Sequence, residues 1–327
     1  MSAGPHLSVV GATATGKTAL ACAIARRAAD VELVSVDSMS VYRGMDLGTA
    51  KPTGDERSAA TWHLVDLVAP DEEFSVAEFQ QAARAALAGI EGRGHRAVLV
   101  GGTGLYHRAV VDDLRIPGRW PAVAGELEAR AERPGGADAL YAELVGLDPV
   151  AAGRMNATNR RRVLRALEVT LGSGRPFSSF GPGLEAYPES RFVIVGVRLD
   201  RAALAERLRQ RLDMQLAAGL VDEVRRLASA PAGLSRTARQ ALGYRELLAH
   251  VEDGLPLDAA REAALVRLRH FAKRQESWFG RDPRVRWFDA AAPDLVEAVC
   301  AVWEAAPAAR EVAGCRNAHR TVGEWEE

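Results

Sequence analysis

The segment GATATGKT, from Gly11 to Thr18, constrains the fold of this chain more than any other feature. It fits the pattern G-x-x-x-x-G-K-[ST] and lies between an apolar run, LSVV, and the helix-forming stretch ALACAIARRAA. In such a strand–loop–helix, backbone N–H groups and the positive end of the helix hold phosphate. A chance match is the alternative, but this context disfavours it, as does the scarcity of lysine, found only at positions 17, 51 and 273.

The whole segment is therefore the predicted phosphate site. We expect Lys17 to pair with the phosphate charge and Thr18 to supply an oxygen ligand to Mg²⁺. The predicted phosphate-binding residues are Gly11, Ala12, Thr13, Ala14, Thr15, Gly16, Lys17 and Thr18. The loop alone does not identify the phosphate compound, because many unrelated reactions begin from it.

Alternating strand and helix patterns predict an α/β fold: a P-loop NTPase-like parallel sheet flanked by helices, with a mainly helical insertion domain. VELVSVDS and RAVLVGG have the composition of buried strands, and FSVAEFQQAARAALAGIEGRG spaces its apolar residues as a helix does. The breaker-rich RIPGRWP interrupts the alternation, and RFVIVGVRLD resumes it. The predicted divisions are 1–113 and 191–306 for the two parts of the core, 114–190 for the insertion and 307–327 for a flexible tail.

Composition excludes several classes of protein. The chain has 327 residues, of which 48% are hydrophobic and 26% charged, as in ordinary globular proteins. No apolar run approaches the roughly 18 residues of a membrane helix, and MSAGPHLSVVG does not resemble a signal peptide. The three cysteines show no paired spacing, so we expect a reducing, cytoplasmic location. The net charge of −1 argues against general nucleic-acid binding, although RMNATNRRRVLRALE and the region from Arg267 to Arg286 are locally basic.

Polar residues follow two further predicted strands. Asp37 ends the strand in SVDS, and Thr103 follows Gly101 and Gly102 after RAVLV. Ligands of parallel sheets bind beyond the carboxyl ends of the strands, so both side chains are expected beside the phosphate loop. Asp37 then acts as a base or holds Mg²⁺ through water; the alternative is a turn or helix cap. Because small-molecule kinases with this loop also carry an acid here, Asp37 does not fix the reaction.

Five segments together resemble one family, the tRNA dimethylallyltransferases, also called tRNA isopentenyltransferases or IPP transferases. They are VDSMSVYRGMDLGTAKP, GGTGLY, RRVLRALEV, ALGYRE and AKRQESWF, in that order. The correspondence covers roughly residues 9 to 289. YRGMDLGTAKP is the most specific of them, since kinases that share the phosphate loop do not carry it.

The resemblance implies a reaction. The loop would hold the diphosphate of dimethylallyl diphosphate with Mg²⁺, and the acceptor would be N6 of the adenosine immediately 3′ of the anticodon in tRNA. Asp37 matches the family's general base, Thr103 the hydroxyl near the bridging oxygen of the leaving group, and Arg211 a further diphosphate contact, with Arg207 nearby. An adenine amine is a weak nucleophile, so a donor-rich site for the leaving group and a proton acceptor both suit this chemistry.

The resemblance also implies contacts to the anticodon stem-loop, from which the adenosine would flip out. The implied tRNA-binding residues are Asp37, Ser38, Met39, Ser40, Arg161, Arg162, Arg165, Gln240, Gly243, Tyr244, Arg245, Lys273, Arg274, Gln275 and Trp278. Tyr244, Trp278 and Phe279 are the candidates for stacking on bases. Judged without the resemblance, the arginines of RRRVLRALE fit a solvated helix face equally well, and Trp278 and Phe279 fit a core.

Two departures from the family pattern bear on the grip of RNA. An Asp-Pro-x-x-Arg run usual at the start of the insertion is replaced by RWPAVAGE, and Gly280 separates SWF from Arg281. Three alternatives stay open: a P-loop kinase for a small hydroxyl substrate, a relative that prenylates free AMP, and a non-catalytic RNA-binding switch. The kinase leaves the basic insertion and AKRQESWF unexplained, and the long C-terminal region from LGYRE to AKRQESWF favours RNA over free AMP. Asp37 with Thr103 favours catalysis over the third alternative. We expect a monomer.

Overall fold

Short runs of Val, Leu and Ile form the centre of the molecule in the computed structural model, which describes residues 4–306. Within that range the strands are β1 (His6–Val10), β2 (Val31–Val36), β3 (Trp62–His63), β4 (Arg96–Gly101), β5 (Phe192–Arg198) and β6 (Arg286–Asp289). They form one parallel sheet in the order β3-β2-β4-β1-β5-β6. Every residue of β1 and β2 is buried, as expected of a sheet covered on both faces. The predicted fold class is confirmed.

Helices connect the strands and cover both faces of the sheet. Their bounds are α1 (Lys17–Ala25), α2 (Gly54–Arg57), α3 (Val76–Gly92), α4 (Gly104–Val111), α5 (Pro121–Ala131), α6 (Gly136–Leu147), α7 (Pro149–Gly153), α8 (Arg160–Ser173), α9 (Arg201–Ala217), α10 (Leu220–Ala228), α11 (Tyr244–Asp253), α12 (Leu257–Phe279) and α13 (Leu295–Glu304). Short 3₁₀ turns lie at Phe177–Phe180 and Ala238–Gln240. No helix among the described residues is long and apolar enough to cross a bilayer.

The chain divides into two compact units, one of which is the segment Arg108–Pro188. This unit is helical, and α5, α6 and α8 pack around a core of its own that includes Leu127, Leu144 and Leu167. It begins at Arg108, inside α4, before the predicted start at 114. The predicted tail, 307–327, lies outside the described residues.

The register of the sheet places the functional loops side by side. Val10 at the end of β1 is opposite Gly101 of β4, and Gly101 is also opposite Val36 of β2. The residues that follow these three positions therefore emerge at one edge of the sheet. They are the phosphate loop, Asp37, and the segment from Gly102 that carries Thr103.

Candidate functional site

The phosphate loop has backbone angles that few residues adopt. Gly11 has a φ of 144°, and a Cβ there would lie 2.3 Å from the carbonyl oxygen of Val197 in β5, so only glycine fits. Gly16, with a φ of 92°, caps the start of α1, and Ala14 has a φ of 66°. The Thr15 hydroxyl donates to the carbonyl of Ala12 at 2.9 Å, which closes the turn. The N–H groups of Ala14 and Gly16 donate to no residue that the structure describes, so they are available to an anion.

Positive charge surrounds this loop. The Lys17 ammonium donates to the carbonyl of Ala12 at 2.5 Å, and Arg211 of α9 lies within electrostatic range of it. Burial and the Arg211 charge together lower the pKa of Lys17 to about 7, while Asp37 acts in the opposite direction. Burial also lowers the pKa of Arg211. Arg207, one turn earlier on α9, brings its guanidinium within 3.9 Å of the position of a Cβ on Gly16. Three basic side chains, Lys17, Arg207 and Arg211, lie near the loop, with Asp37 and Glu56 as the acids that act on Arg211, and this arrangement suits a multiply charged anion.

Asp37 combines a turn with an accessible acceptor. Its Oδ1 accepts the backbone N–H of Met39 at 2.8 Å and that of Ser40 at 3.3 Å, so the cap expected as the alternative is present. Its Oδ2 accepts no hydrogen bond from residues 4–306. The turn thus orients the carboxylate at the end of β2 and leaves one oxygen for a ligand.

Thr103 is tied to the Asp37 turn. Its backbone N–H donates to the carbonyl of Val36 at 3.4 Å, and its Oγ1 accepts the N–H of Ser38 at 3.2 Å. Because Oγ1 is held as an acceptor, its hydroxyl proton can donate to a ligand oxygen. The structure therefore brings together the three predicted catalytic residues, Asp37, Thr103 and Arg211, beside the loop.

An oxygen-ligand site for Mg²⁺ fits this arrangement. The Thr18 hydroxyl at the start of α1 makes no hydrogen bond to the described residues, and the Asp37 carboxylate shares the sheet edge with the loop. Mg²⁺ takes hard oxygen ligands, keeps several waters, and is usually completed by substrate phosphates. No cluster of three His, Cys, Asp or Glu side chains suited to a metal occurs within residues 4–306, and a site of this phosphate-completed kind needs none.

Several predicted RNA contacts are exposed. Lys273 and Arg274 project from α12, and Arg245 and Gln240 lie on and before α11. Arg161 and Arg162 are exposed in the first turn of α8, within the helical unit. Ser38 and Met39 are half-buried beside Asp37. Trp278 is half-buried and packs against Gly104, where a Cβ would lie 2.3 Å from the indole ring.

Other predicted contacts are internal. Tyr244 has 0% exposure and donates its hydroxyl to Glu223 at 2.5 Å, so the expectation that its ring is free to stack on a base is wrong for this conformation. Phe279 is also buried, with its ring edge-on to His107. Arg165 donates to the carbonyls of Pro117 and Gly118, both at 2.9 Å, and pairs with Glu168. These groups are already occupied by partners within the protein.

Gly243 and Ser40, two further predicted RNA contacts, are also buried. Gly243 caps the start of α11 with a φ of 83°, and its N–H donates to Glu246. Ser40 is 4% exposed, and its carbonyl accepts the N–H of Asp66. Both positions fix the course of the backbone, so any role in RNA binding is indirect in this conformation.

Sequence reasoning missed the residues that hold the segment YRGMDLGTAKP in place. Glu223 of α10 is 8% exposed and accepts the N–H groups of Asp46 and Leu47, both at 3.0 Å. Lys51 is buried, and donates to the carbonyl of Tyr42 at 2.6 Å while pairing with Asp46. One signal was available for Glu223, because it falls between Leu220 and Val224 on the apolar face of its helix. A carboxylate at such a position is expected to have buried partners.

Known proteins are similar to this chain in sequence and in fold. The family model described as IPP transferase matches residues 40–282. A tRNA dimethylallyltransferase of Bifidobacterium animalis subsp. lactis is 44% identical over 310 residues, covering 92% of this chain and 87% of that protein. One from Nocardioides sp. is 45% identical over 298 residues, covering 91% and 95%. The crystal structure of a full-length tRNA isopentenylpyrophosphate transferase from Bacillus halodurans superposes with a TM-score of 0.66 at 34% identity, covering 92% of this chain and 97% of that one.

Proposed function

This chain belongs to the IPP transferase family, and we propose that it transfers a dimethylallyl group from dimethylallyl diphosphate to N6 of the adenosine 3′ of the anticodon in tRNA. It is a tRNA-modifying prenyltransferase, the class to which its relatives belong. The observation that carries the proposal is the convergence at one sheet edge of the phosphate loop, Asp37 and Thr103.

The reaction requires one bond to form as another breaks. The lone pair of N6 attacks C1 of the allylic group, and the C1–O bond electrons pass to the bridging oxygen of the departing diphosphate. Lys17, Arg211 and the N–H groups of the loop stabilise the charge that develops on this leaving group. Thr103, whose Oγ1 accepts from the Ser38 N–H, donates a hydrogen bond to the bridging oxygen and keeps its proton.

Asp37 takes the proton released by the amine. Its Oδ1 is fixed by the N–H groups of Met39 and Ser40, so Oδ2 is the oxygen proposed to accept it. Removing this proton prevents reversal of the attack and leaves a neutral secondary amine. When bound, Mg²⁺ neutralises negative charge on the diphosphate oxygens, with Thr18 as its ligand from the protein.

RNA is proposed to bind through exposed basic side chains. Arg161 and Arg162 of the helical unit, and Arg245, Lys273 and Arg274 of the other unit, suit contacts with backbone phosphates. Trp278 lies against Gly104, next to Thr103, and its half-exposed ring suits stacking on an extruded base. The proposed setting is the cytoplasm, and the proposed state is a monomer, which light scattering of the purified protein tests.

Transfer of labelled dimethylallyl from its diphosphate, with Mg²⁺, to unmodified tRNA and in parallel to AMP tests the proposal. Label in tRNA alone is the expected result. Label in AMP alone would assign the protein to prenyltransferases of free nucleotides. No label in either, with ATP consumed on a small hydroxyl acceptor, would establish a kinase instead.

A further inference from the structure

Gln275 joins two loops of the site through a single buried amide. Its Oε1 accepts the backbone N–H of Thr13 in the phosphate loop at 2.8 Å. Its Nε2 donates to the carbonyl of Gly102, one residue before Thr103, at 2.9 Å. The residue is buried, with 6% exposure, although Lys273 and Arg274 just before it on α12 are exposed and both loops are far away in sequence.

The requirements of both partners explain why glutamine is present. Thr13 offers a donor and Gly102 an acceptor, and a primary amide provides the complementary acceptor and donor in one plane. A Cβ at position 102 would lie 2.1 Å from Nε2 of Gln275, so glycine at this position admits the amide. Gly102 also lies next to the phosphate loop, because a Cβ at this position would be 3.2 Å from the carbonyl oxygen of Gly11.

We infer that Gln275 is a positioning residue for the phosphate loop rather than a contact to RNA. It fixes the loop that holds the leaving diphosphate relative to the segment that carries Thr103, and so sets where the bridging oxygen lies. The part of this inference that concerns the leaving group rests on the proposed function. The test does not, because it measures the affinity for diphosphate and not the reaction. The side chains of α12 lie on two different faces. Lys273 and Arg274 are exposed to solvent, whereas Gln275 packs against Gly102 and Trp278 against Gly104.

The test compares Gln275→Met with Lys273→Met. Methionine keeps the length and volume of glutamine but removes both hydrogen bonds; the matched control removes one charge from an exposed neighbour on the same helix. Affinity for magnesium diphosphate is measured by calorimetry, and affinity for an anticodon stem-loop RNA by fluorescence anisotropy. We expect Gln275→Met to weaken diphosphate binding about tenfold, since an unanchored loop must be ordered on binding, with RNA affinity within about twofold of the unmodified protein. Lys273→Met should weaken RNA binding and leave diphosphate affinity unchanged.

Gln275→Glu provides a second variant if the methionine variant does not fold. Glutamate keeps the acceptor for Thr13 but cannot donate to Gly102 when ionised, and we expect weaker diphosphate binding here as well. Diphosphate affinity unchanged in a folded variant, or loss confined to RNA affinity, would overturn the inference. Absence of prenyl transfer by the unmodified protein would instead contradict the proposed function, so the two failures are distinguishable.

Discussion

Binding of diphosphate should draw a proton onto Lys17. In the ligand-free site, burial and Arg211 hold the pKa of this ammonium at about 7. About nine-tenths of the molecules therefore carry a neutral Lys17 at pH 8, and about half at pH 7. A diphosphate bound at the loop places negative charge beside Nζ, which raises the pKa of Lys17 well above 8. Uptake by this group should then be roughly 0.9 proton per diphosphate at pH 8 and roughly 0.1 at pH 6.

The same linkage gives the direction of the pH dependence. Because the charged lysine binds diphosphate, affinity should fall about tenfold for each pH unit above roughly 8, and be nearly constant below roughly 6 as far as Lys17 is concerned. For folding without ligand, the pKa of Lys17 is lower in the native state than in the unfolded chain. The unfolded chain therefore binds more protons between about 7 and 10.5, and Lys17 opposes folding less as the pH rises through that range.

Calorimetry in buffers of different ionisation enthalpy measures the uptake directly. The observed heat of magnesium diphosphate binding is plotted against the buffer's ionisation enthalpy at pH 6, 7 and 8, and the slope is the number of protons taken up. Lys17→Met is the matched control, because methionine is also a long side chain but has no ammonium group. Protonation of the ligand itself contributes equally in both proteins, so the difference in uptake measures Lys17. Arg211→Met should raise the pKa of Lys17 and so reduce the uptake at pH 8.

Equal proton uptake by the unmodified protein and Lys17→Met at pH 8 would refute this reasoning. It would mean that Lys17 is already charged in the ligand-free site, so that neighbouring groups and solvent compensate for its burial. If the uptake at pH 8 is unchanged in Arg211→Met, burial alone lowers the pKa of Lys17 and the charge of Arg211 does not contribute.

Three further outcomes are expected. Asp37→Asn should lower kcat by about 10²- to 10⁴-fold with magnesium diphosphate affinity nearly unchanged, in single-turnover and calorimetric assays; equal loss of both would indicate a structural or metal-binding role. Glu223→Ala should lower the free energy of unfolding in urea by about 3 kcal/mol or more, because buried N–H groups and the Tyr244 hydroxyl lose their acceptor; an unchanged midpoint would contradict this. Hydrogen bonds from Arg93 and two histidines lower the pKa of Glu32 to about 2. Ionised Glu32 therefore stabilises the fold above about pH 4.5, and this stabilisation is lost as the pH falls toward 2. In acid titrations, the difference in free energy of unfolding between the unmodified protein and Glu32→Gln should shrink over that interval.

The local parts of the site could be predicted from the sequence. The phosphate loop lies between β1 and α1 because its glycines permit the turn that the motif requires. Asp37 and Thr103 meet because parallel strands aligned at Val10, Val36 and Gly101 end at the same edge, a consequence of fold class alone.

Side-chain direction could not be predicted in the same way. A motif gives the position of Tyr244 or Gln275 along the chain, but the face each presents depends on partners far away in sequence. Tyr244 turns inward because Glu223 of a preceding helix accepts its hydroxyl and Gly48 leaves room for its ring. Gln275 turns inward because two backbone groups, at Thr13 and Gly102, complement one amide.

YRGMDLGTAKP, the most specific of the five segments that resemble the family, is held by hydrogen bonds within the protein. The N–H groups of Asp46 and Leu47 donate to Glu223, and Lys51 is buried. The carbonyl of Leu47 accepts a hydrogen bond from Gln215 of α9 at 2.6 Å. α9 also carries Arg211, whose charge acts on Lys17 of the phosphate loop. The segment therefore ties the chain that follows Asp37 to the helix that carries Arg211, the cation proposed to contact the leaving group. In the proposed reaction the phosphate loop holds the leaving group, and the contacts of this segment to Glu223 and Gln215 fix the position of the proposed base, Asp37, relative to Arg211.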